Sequence, residues 1–169
     1  MGAYRLALMM VGALSSSSSL AVPALYQSIA ANVGVPDKAL YALAMTETGT
    51  RLTNGTQRPW PWTLNVKGKG YYYPSRDAAC QALLGFLTRT SSVDIGLTQV
   101  NWHWHQSAFN SPCSALEPTS NLTYASQLLK KAYQDKQHWG LAAGAYHRPA
   151  GGAPAIRYQQ RFERYFYSL

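Results

Sequence analysis

The amino-acid sequence predicts a mainly helical α+β domain with one small β-hairpin. Three observations carry that expectation. Apolar residues recur at helical spacing along most of the chain, most clearly at Leu122, Ala125, Leu128, Leu129, Ala132 and Tyr133. Residues 62–73 instead alternate around turn material, Lys67-Gly68-Lys69-Gly70. Finally, 47% hydrophobic against 13% charged residues over 169 positions suits one compact domain and excludes a disordered chain. No apolar run reaches the roughly 18 residues that span a bilayer.

The elements follow in order. Arg5, the run Leu6–Leu14, five serines and Ser19-Leu20-Ala21 read as a secretory signal over residues 1–21, with residues 22–169 as the working domain. The competing account is a buried N-terminal helix, but the run has no polar face. Ala24–Val33 is a predicted helix ended by Gly34, and Pro36 opens a second that runs to Thr48, before Gly49. Residues 49–61 read as loop. The hairpin ends at Pro74, and Ser75 caps a helix bearing Ala79, Leu83 and Phe86. Pro112–Thr119 reads as loop, and Ser120 or Asn121 as the cap of the next helix. A short helix over Trp139–Tyr146 and a last one over Ala155–Phe166 complete the chain. The last places Tyr158, Phe162 and Tyr165 on one side, with Arg157, Arg161 and Arg164 beside them.

Export implies an oxidising compartment, where Cys80 and Cys113 form an even pair. They are either a disulfide or two buried thiols, since sequence gives no distance between them.

Seven carboxylates stand against 15 Lys and Arg, for a net charge of +8. Asp37 and Asp77 sit in first turns of helices, where negative charge suits the dipole. Asp135 and Glu163 have basic neighbours, and Glu117 precedes a proline in a loop. Glu47 differs. It shares a helix face with Leu40, Leu43 and Ala44 and lies in the last turn. Burial and the negative end of the dipole both favour its protonated form, as a general acid needs. On periodicity alone, a side chain reaching solvent or Arg51 is the simpler account. Asp94, two residues before Gly96 in an unusually apolar segment, is the second candidate.

Four motifs change that balance. Ala44-Met45-Thr46-Glu47-Thr48-Gly49, Ile95-Gly96-Leu97-Thr98-Gln99-Val100-Asn101, Asn121-Leu122 with Ala125 and Leu128, and Leu141–Tyr146 followed by Ala150-Gly151 occur in this order. Together they resemble lytic transglycosylases of the soluble-transglycosylase type, across about residues 37–158. Each motif alone is weak; their order is specific. His147 stands where that family usually has Asn, and Arg148-Pro149 intervene before Ala150. This Tyr-His-x-Pro variant, with the hairpin Trp60–Pro74, resembles the branch that accompanies conjugation and type IV secretion or pilus systems. Asp94 stands where many relatives carry a small polar residue.

The resemblance implies a goose-type, lysozyme-like fold, a periplasmic location, no cofactor and a peptidoglycan substrate. Glu47 would then perform both proton transfers in cleaving the bond between N-acetylmuramic acid and N-acetylglucosamine, yielding a 1,6-anhydro sugar. Gln99 and Asn101 would hold N-acetyl or hydroxyl groups, Tyr146 would hydrogen-bond near Glu47 or the substrate, and His147 would neighbour the site. Asp94 leaves open a hydrolytic muramidase on the same fold. A non-catalytic glycan-binding scaffold of the envelope is the alternative from another class. Partners implied are glycan strands and the proteins of a conjugation or secretion machine.

Aromatic residues crowd the central third: Trp60, Trp62, Tyr71, Tyr72, Tyr73, Trp102 and Trp104. Sugar rings pack on such faces, so part of this whole set, Tyr72 among the candidates, is expected to line a glycan groove, while alternation sends about half of the hairpin aromatics to the core. His103 and His105 lack the further ligands that a metal needs, and no zinc motif is present. The basic residues are dispersed, which argues against a nucleic-acid partner.

Overall fold

The computed structural model describes residues 21–169. The predicted signal, up to Leu20, lies outside the described residues. The chain forms an α+β domain dominated by helices, as the sequence predicts.

Helix α1 (Ala24–Val33) ends at Gly34, whose φ of 79° lies in the left-handed region that glycine adopts freely. Helix α2 (Asp37–Thr48) follows Pro36. Every residue from Ala39 to Met45 is buried. A helix apolar on all sides belongs inside a core, and α1 and the last helix pack on it.

The loop expected over 49–61 is corrected. Strands β1 (Gly49–Arg51) and β2 (Gln57–Pro59) pair antiparallel there. Their three-residue strands carry too little alternation to be read from sequence. Strands β3 (Thr63–Val66) and β4 (Lys69–Tyr72) form the predicted hairpin, closed by Lys67 and Gly68 with φ of 52° and 84°. Both turn residues lie at positive φ, the geometry that matches strand twist. The hairpin does not stand alone, however. Strand β5 (Val93–Ile95) pairs with β3, and β6 (Val100–Asn101) pairs with β5, giving a four-stranded sheet in the order β4-β3-β5-β6.

Helix α3 (Arg76–Leu87) begins under the predicted Ser75 cap, whose hydroxyl accepts from the Ala78 N–H. It lays Ala79 and Leu83 on Leu64, Val93 and Ile95 of the sheet. Cys80 and Cys113 are bonded, with Cα atoms 5.2 Å apart. This ties α3 to a 3-10 turn over Pro112–Leu116. Helix α4 is a single turn, Trp102–His105.

Helix α5 (Pro118–Lys136) starts earlier than expected, with Pro118 in the first turn and Glu117 before it. Asn121 is therefore not a cap. It is a fully buried residue within the helix. Helices α6 (Trp139–His147) and α7 (Ala153–Ser168) follow the predicted pattern. Tyr158 and Phe162 are buried, and Arg157, Arg161 and Arg164 are exposed. Gly140 lets α6 approach Glu163 of α7 so closely that a Cβ would overlap the carboxylate.

Two lobes result. A helical body of α1, α2, α5, α6 and α7 holds two clusters of buried apolar residues. A smaller lobe of sheet, α3 and the 3-10 turn surrounds another.

Candidate active site

A cleft of about 690 Å³ lies between the lobes. The helical body supplies Glu47, Leu128, Tyr146 and His147 to its lining. The sheet lobe and α4 supply Asn65, Asp94, Gln99, Asn101, Trp104 and His105. Five of the six predicted residues around Glu47 are thus brought together. The sixth, Tyr72, is not. It is exposed on edge strand β4 and lines a separate depression with Arg51 and Trp60. It pairs with Thr63 at the sheet edge and is not among the residues that line the Glu47 cleft.

The turn between β5 and β6 fixes the sheet wall. Gly96 has φ of 77°, and a Cβ there would meet the Asn121 amide. Asn121 Oδ1 accepts from the Thr98 N–H at 3.0 Å and its hydroxyl at 2.7 Å. Its Nδ2 donates to the carbonyls of Ile95 and Ala115. The Thr48 hydroxyl, one residue past Glu47, donates to the Leu97 carbonyl at 2.8 Å. The Tyr146 hydroxyl donates to the Thr98 carbonyl at 2.8 Å. Helices α2, α5 and α6 therefore grip one short turn, and the polar groups of a buried segment are satisfied as they must be. Gln99 closes the turn at φ of 50°, and its Nε2 donates to the carbonyls of Gly96 and Thr63.

Tyr146 is thus committed to the turn and does not hydrogen-bond Glu47, contrary to one of the two roles expected of it. Tyr158 takes that role. Its hydroxyl donates to Glu47 Oε1 at 2.7 Å. The sequence places Tyr158 only on one side of the last helix, with Phe162 and Tyr165. The signal that it does more was present: a phenol buried on a helix face requires a partner for its O–H. The His147 ring stacks on the Tyr158 ring, with centroids 4.4 Å apart and planes 9° from parallel. The Arg161 guanidinium lies 5.4 Å from the centre of the same ring.

The electrostatics follow from this arrangement. Burial raises the Glu47 carboxyl to about 8, the Tyr158 hydrogen bond opposes that rise, the Asp94 charge adds to it and Arg161 opposes it. Burial also raises Asp94, against the hydrogen bond from Asn101 Nδ2 at 2.7 Å and the nearby His147. The protein packed around His147, with Arg161 and Arg148, lowers its pKa, while Asp94 opposes. Burial, then Glu47, raises Tyr158 well above the usual phenol value, so it stays a hydrogen-bond donor. Asn101 Oδ1 is buried without a donor, one unsatisfied acceptor on the sheet wall.

Chemically, the cleft holds one carboxyl group that is protonated at neutral pH and hydrogen-bonded by a neutral phenol. A second carboxyl group, Asp94, sits on the facing wall. Among the described residues no three His, Cys, Asp or Glu side chains cluster to hold a metal. The chain matches no known family model, no characterised protein and no solved structure.

Proposed function

We propose that this chain is an exported lytic transglycosylase that cleaves peptidoglycan glycan strands on a lysozyme-like, goose-type fold. The observation that carries this reading is the placement of Glu47, a carboxyl group set in the cleft between the lobes and hydrogen-bonded by Tyr158 at 2.7 Å, where burial raises it to about 8. A general acid works best with a pKa near the operating pH. The motif order around Glu47, Gln99, Asn121 and Tyr146 adds the substrate class, and the Tyr146-His147 variant adds a setting in wall opening for a conjugation or secretion apparatus in the periplasm.

In this mechanism Glu47 donates its proton to the glycosidic oxygen as the bond from that oxygen to the muramoyl C1 breaks. The developing carboxylate keeps the hydrogen bond from Tyr158. Glu47 then takes the proton of the muramoyl C6 hydroxyl as O6 bonds to C1. One carboxyl group serves both transfers and no water enters. Ordinary glycosidases need two carboxyl groups because their nucleophile is a protein oxygen or an activated water.

Asp94 gives a second reading its specific support. It lines the same cleft, and its charge is felt by Glu47. A carboxylate there can orient water for hydrolysis, as in a muramidase. Mass spectrometry of sacculi digested by residues 22–169 separates the two. Products 18 Da lighter than their hydrolysed counterparts, by one lost water, are expected; reducing-end muramic acid alone overturns the transglycosylase reading. If sacculi are bound and left uncut, the chain is a glycan-binding module.

A further inference from the structure

We propose that Trp104 is a stacking platform for one N-acetylhexosamine ring of the bound glycan, on the cleft wall opposite Glu47. The inference rests on the glycan reading above and assigns a sugar-binding position within it.

Helix α4 is one turn, and its four side chains diverge. Trp102 is half-buried and packs beside Phe109. The His103 ring nitrogen Nδ1 is 2.8 Å from the Ser91 hydroxyl. The corresponding atom of His105 is 2.9 Å from the Tyr124 hydroxyl. Three of the four are therefore engaged within the protein. Trp104 is 76% exposed, more than any other large hydrophobic side chain among the described residues, and it lines the Glu47 cleft. An indole left open to water forfeits the burial that usually places tryptophan inside. Around it the cleft mixes polar side chains, Asn65, Asp94, Gln99 and Asn101, with apolar ones such as Val100 and Leu128.

That combination matches a pyranose. Its axial C–H bonds give a flat apolar face, while its hydroxyl and acetamido groups radiate around the edge. The indole would cover the face, and the amides would meet the edge. The ring is also buttressed. His103 meets it edge-on, with centroids 4.5 Å apart at 85°, and Ser91 fixes His103 in turn. A pre-set ring loses little side-chain freedom on binding.

The test uses the Glu47→Gln chain, which binds without cutting, and the tetramer of β-1,4-linked N-acetylglucosamine as probe. Tryptophan emission should shift to the blue and saturate as the tetramer is added. Trp104→Ala should abolish the shift and raise Kd about tenfold, the loss expected of one aromatic stack. Trp104→Tyr should recover part of the affinity. On intact sacculi with Glu47 present, Trp104→Ala should raise KM far more than it lowers kcat. An exposed ring makes its removal mild for folding, and unchanged thermal unfolding of Trp104→Ala checks this.

Equal affinity of the tetramer for both chains, or no binding by either, overturns the platform. The two readings fail separately. Sacculi cut normally by Trp104→Ala sink the platform and spare the catalytic assignment. Tetramer binding that depends on Trp104, in a chain that never cuts sacculi, sinks the catalytic assignment and keeps the platform.

Discussion

The two walls of the cleft are built on different principles. The helical wall presents Glu47 from α2, whose residues Ala39–Met45 are buried on all sides. Its chemistry comes from desolvation, and its rigidity from apolar packing. The sheet wall presents Asp94, Gln99 and Asn101 from strands of two or three residues and the turn between them. Strand β5 packs Val93 and Ile95 under α3, and hydrogen bonds from the other lobe hold the turn that follows it. Asn121, Tyr146 and Thr48 all reach across to the Gly96–Gln99 turn. A cross-link on the far side of the sheet, Cys80–Cys113, does the rest. One wall carries a reactive group in a stable frame. The other carries positioning groups in a frame that depends on its neighbour.

The largest expected effect breaks the chemistry of one wall alone. Glu47→Gln should lower the release of soluble muropeptides by about 10³-fold, equivalent to about 4 kcal/mol of transition-state stabilisation. The fold should persist, because a neutral amide replaces a group that burial already keeps neutral. Retention of more than a tenth of the activity would remove Glu47 from the mechanism.

Next comes the joint between the walls. Asn121→Ala deletes four hydrogen bonds and strands the carbonyls of Ile95 and Ala115 and the Thr98 amide in the interior. Unfolding free energy in denaturant should fall by about 4 kcal/mol. Activity should fall too in whatever fraction stays folded, since the turn carrying Gln99 loses its anchor. A loss under about 1 kcal/mol would show that the turn holds itself.

Reduction of Cys80–Cys113 probes the sheet lobe separately. The bond closes a loop of 33 residues, worth about 3 to 4 kcal/mol by the chain-entropy argument. Hydrogen exchange in reductant should accelerate first in β3, β4 and α3 and only later in α2 and α5. Uniform acceleration would mean that the lobes unfold as one unit.

The same asymmetry explains what was legible in the sequence. Helices α1, α2 and α6 were read to within a residue and α5 and α7 to within a few, because each repeats its apolar period over several turns. Glu47 stood out because it interrupted such a period. The hairpin β3–β4 was visible through its alternation and its Lys67-Gly68 turn. Strands β1, β2, β5 and β6 are too short to show a period, and the pairing of β5 with β3 joins segments far apart in sequence. Asn121 looked like a helix cap because asparagine favours caps; its partner Thr98 is 23 positions distant. The hydrogen bond from Tyr158 to Glu47 was hidden for the same reason. Which phenol reaches the carboxyl depends on how α6 and α7 cross, and no local pattern records that.

The raised Glu47 carboxyl also couples the site to stability. Its folded value of about 8 exceeds the ordinary 4.5. Unfolding therefore becomes easier as pH rises from about 4.5 to 8, because the unfolded chain gives up the proton first. The contribution is fully present below 4.5 and lost above 8. Glu47→Gln removes this dependence. Allowing for water at the open side of the cleft, the variant should be more stable than the parent by about 2 kcal/mol at pH 8.5 and equal to it near pH 4. Parallel thermal melts at the two pH values check this. A constant difference between them would mean that Glu47 titrates normally.

The smallest effect concerns how finely the helical wall sets its acid. Tyr158→Phe keeps the ring, the His147 stack and the burial, and removes only the hydroxyl that donates to Glu47 Oε1. That hydrogen bond lowers the Glu47 pKa. Its loss should move the alkaline limb of the pH–activity profile upward, since the first proton transfer needs the protonated acid. It should also weaken the carboxylate that forms in that transfer, so kcat at neutral pH should fall about tenfold, near 1.4 kcal/mol. The two effects act in opposite directions at high pH, and the deficit should therefore narrow there. Tyr146→Phe supplies the contrast from the same wall. It releases the Thr98 carbonyl instead, so it should disturb the sheet turn and substrate affinity while leaving the alkaline limb in place. A limb that moves with Tyr146 and not with Tyr158 would reverse the roles assigned to the two phenols.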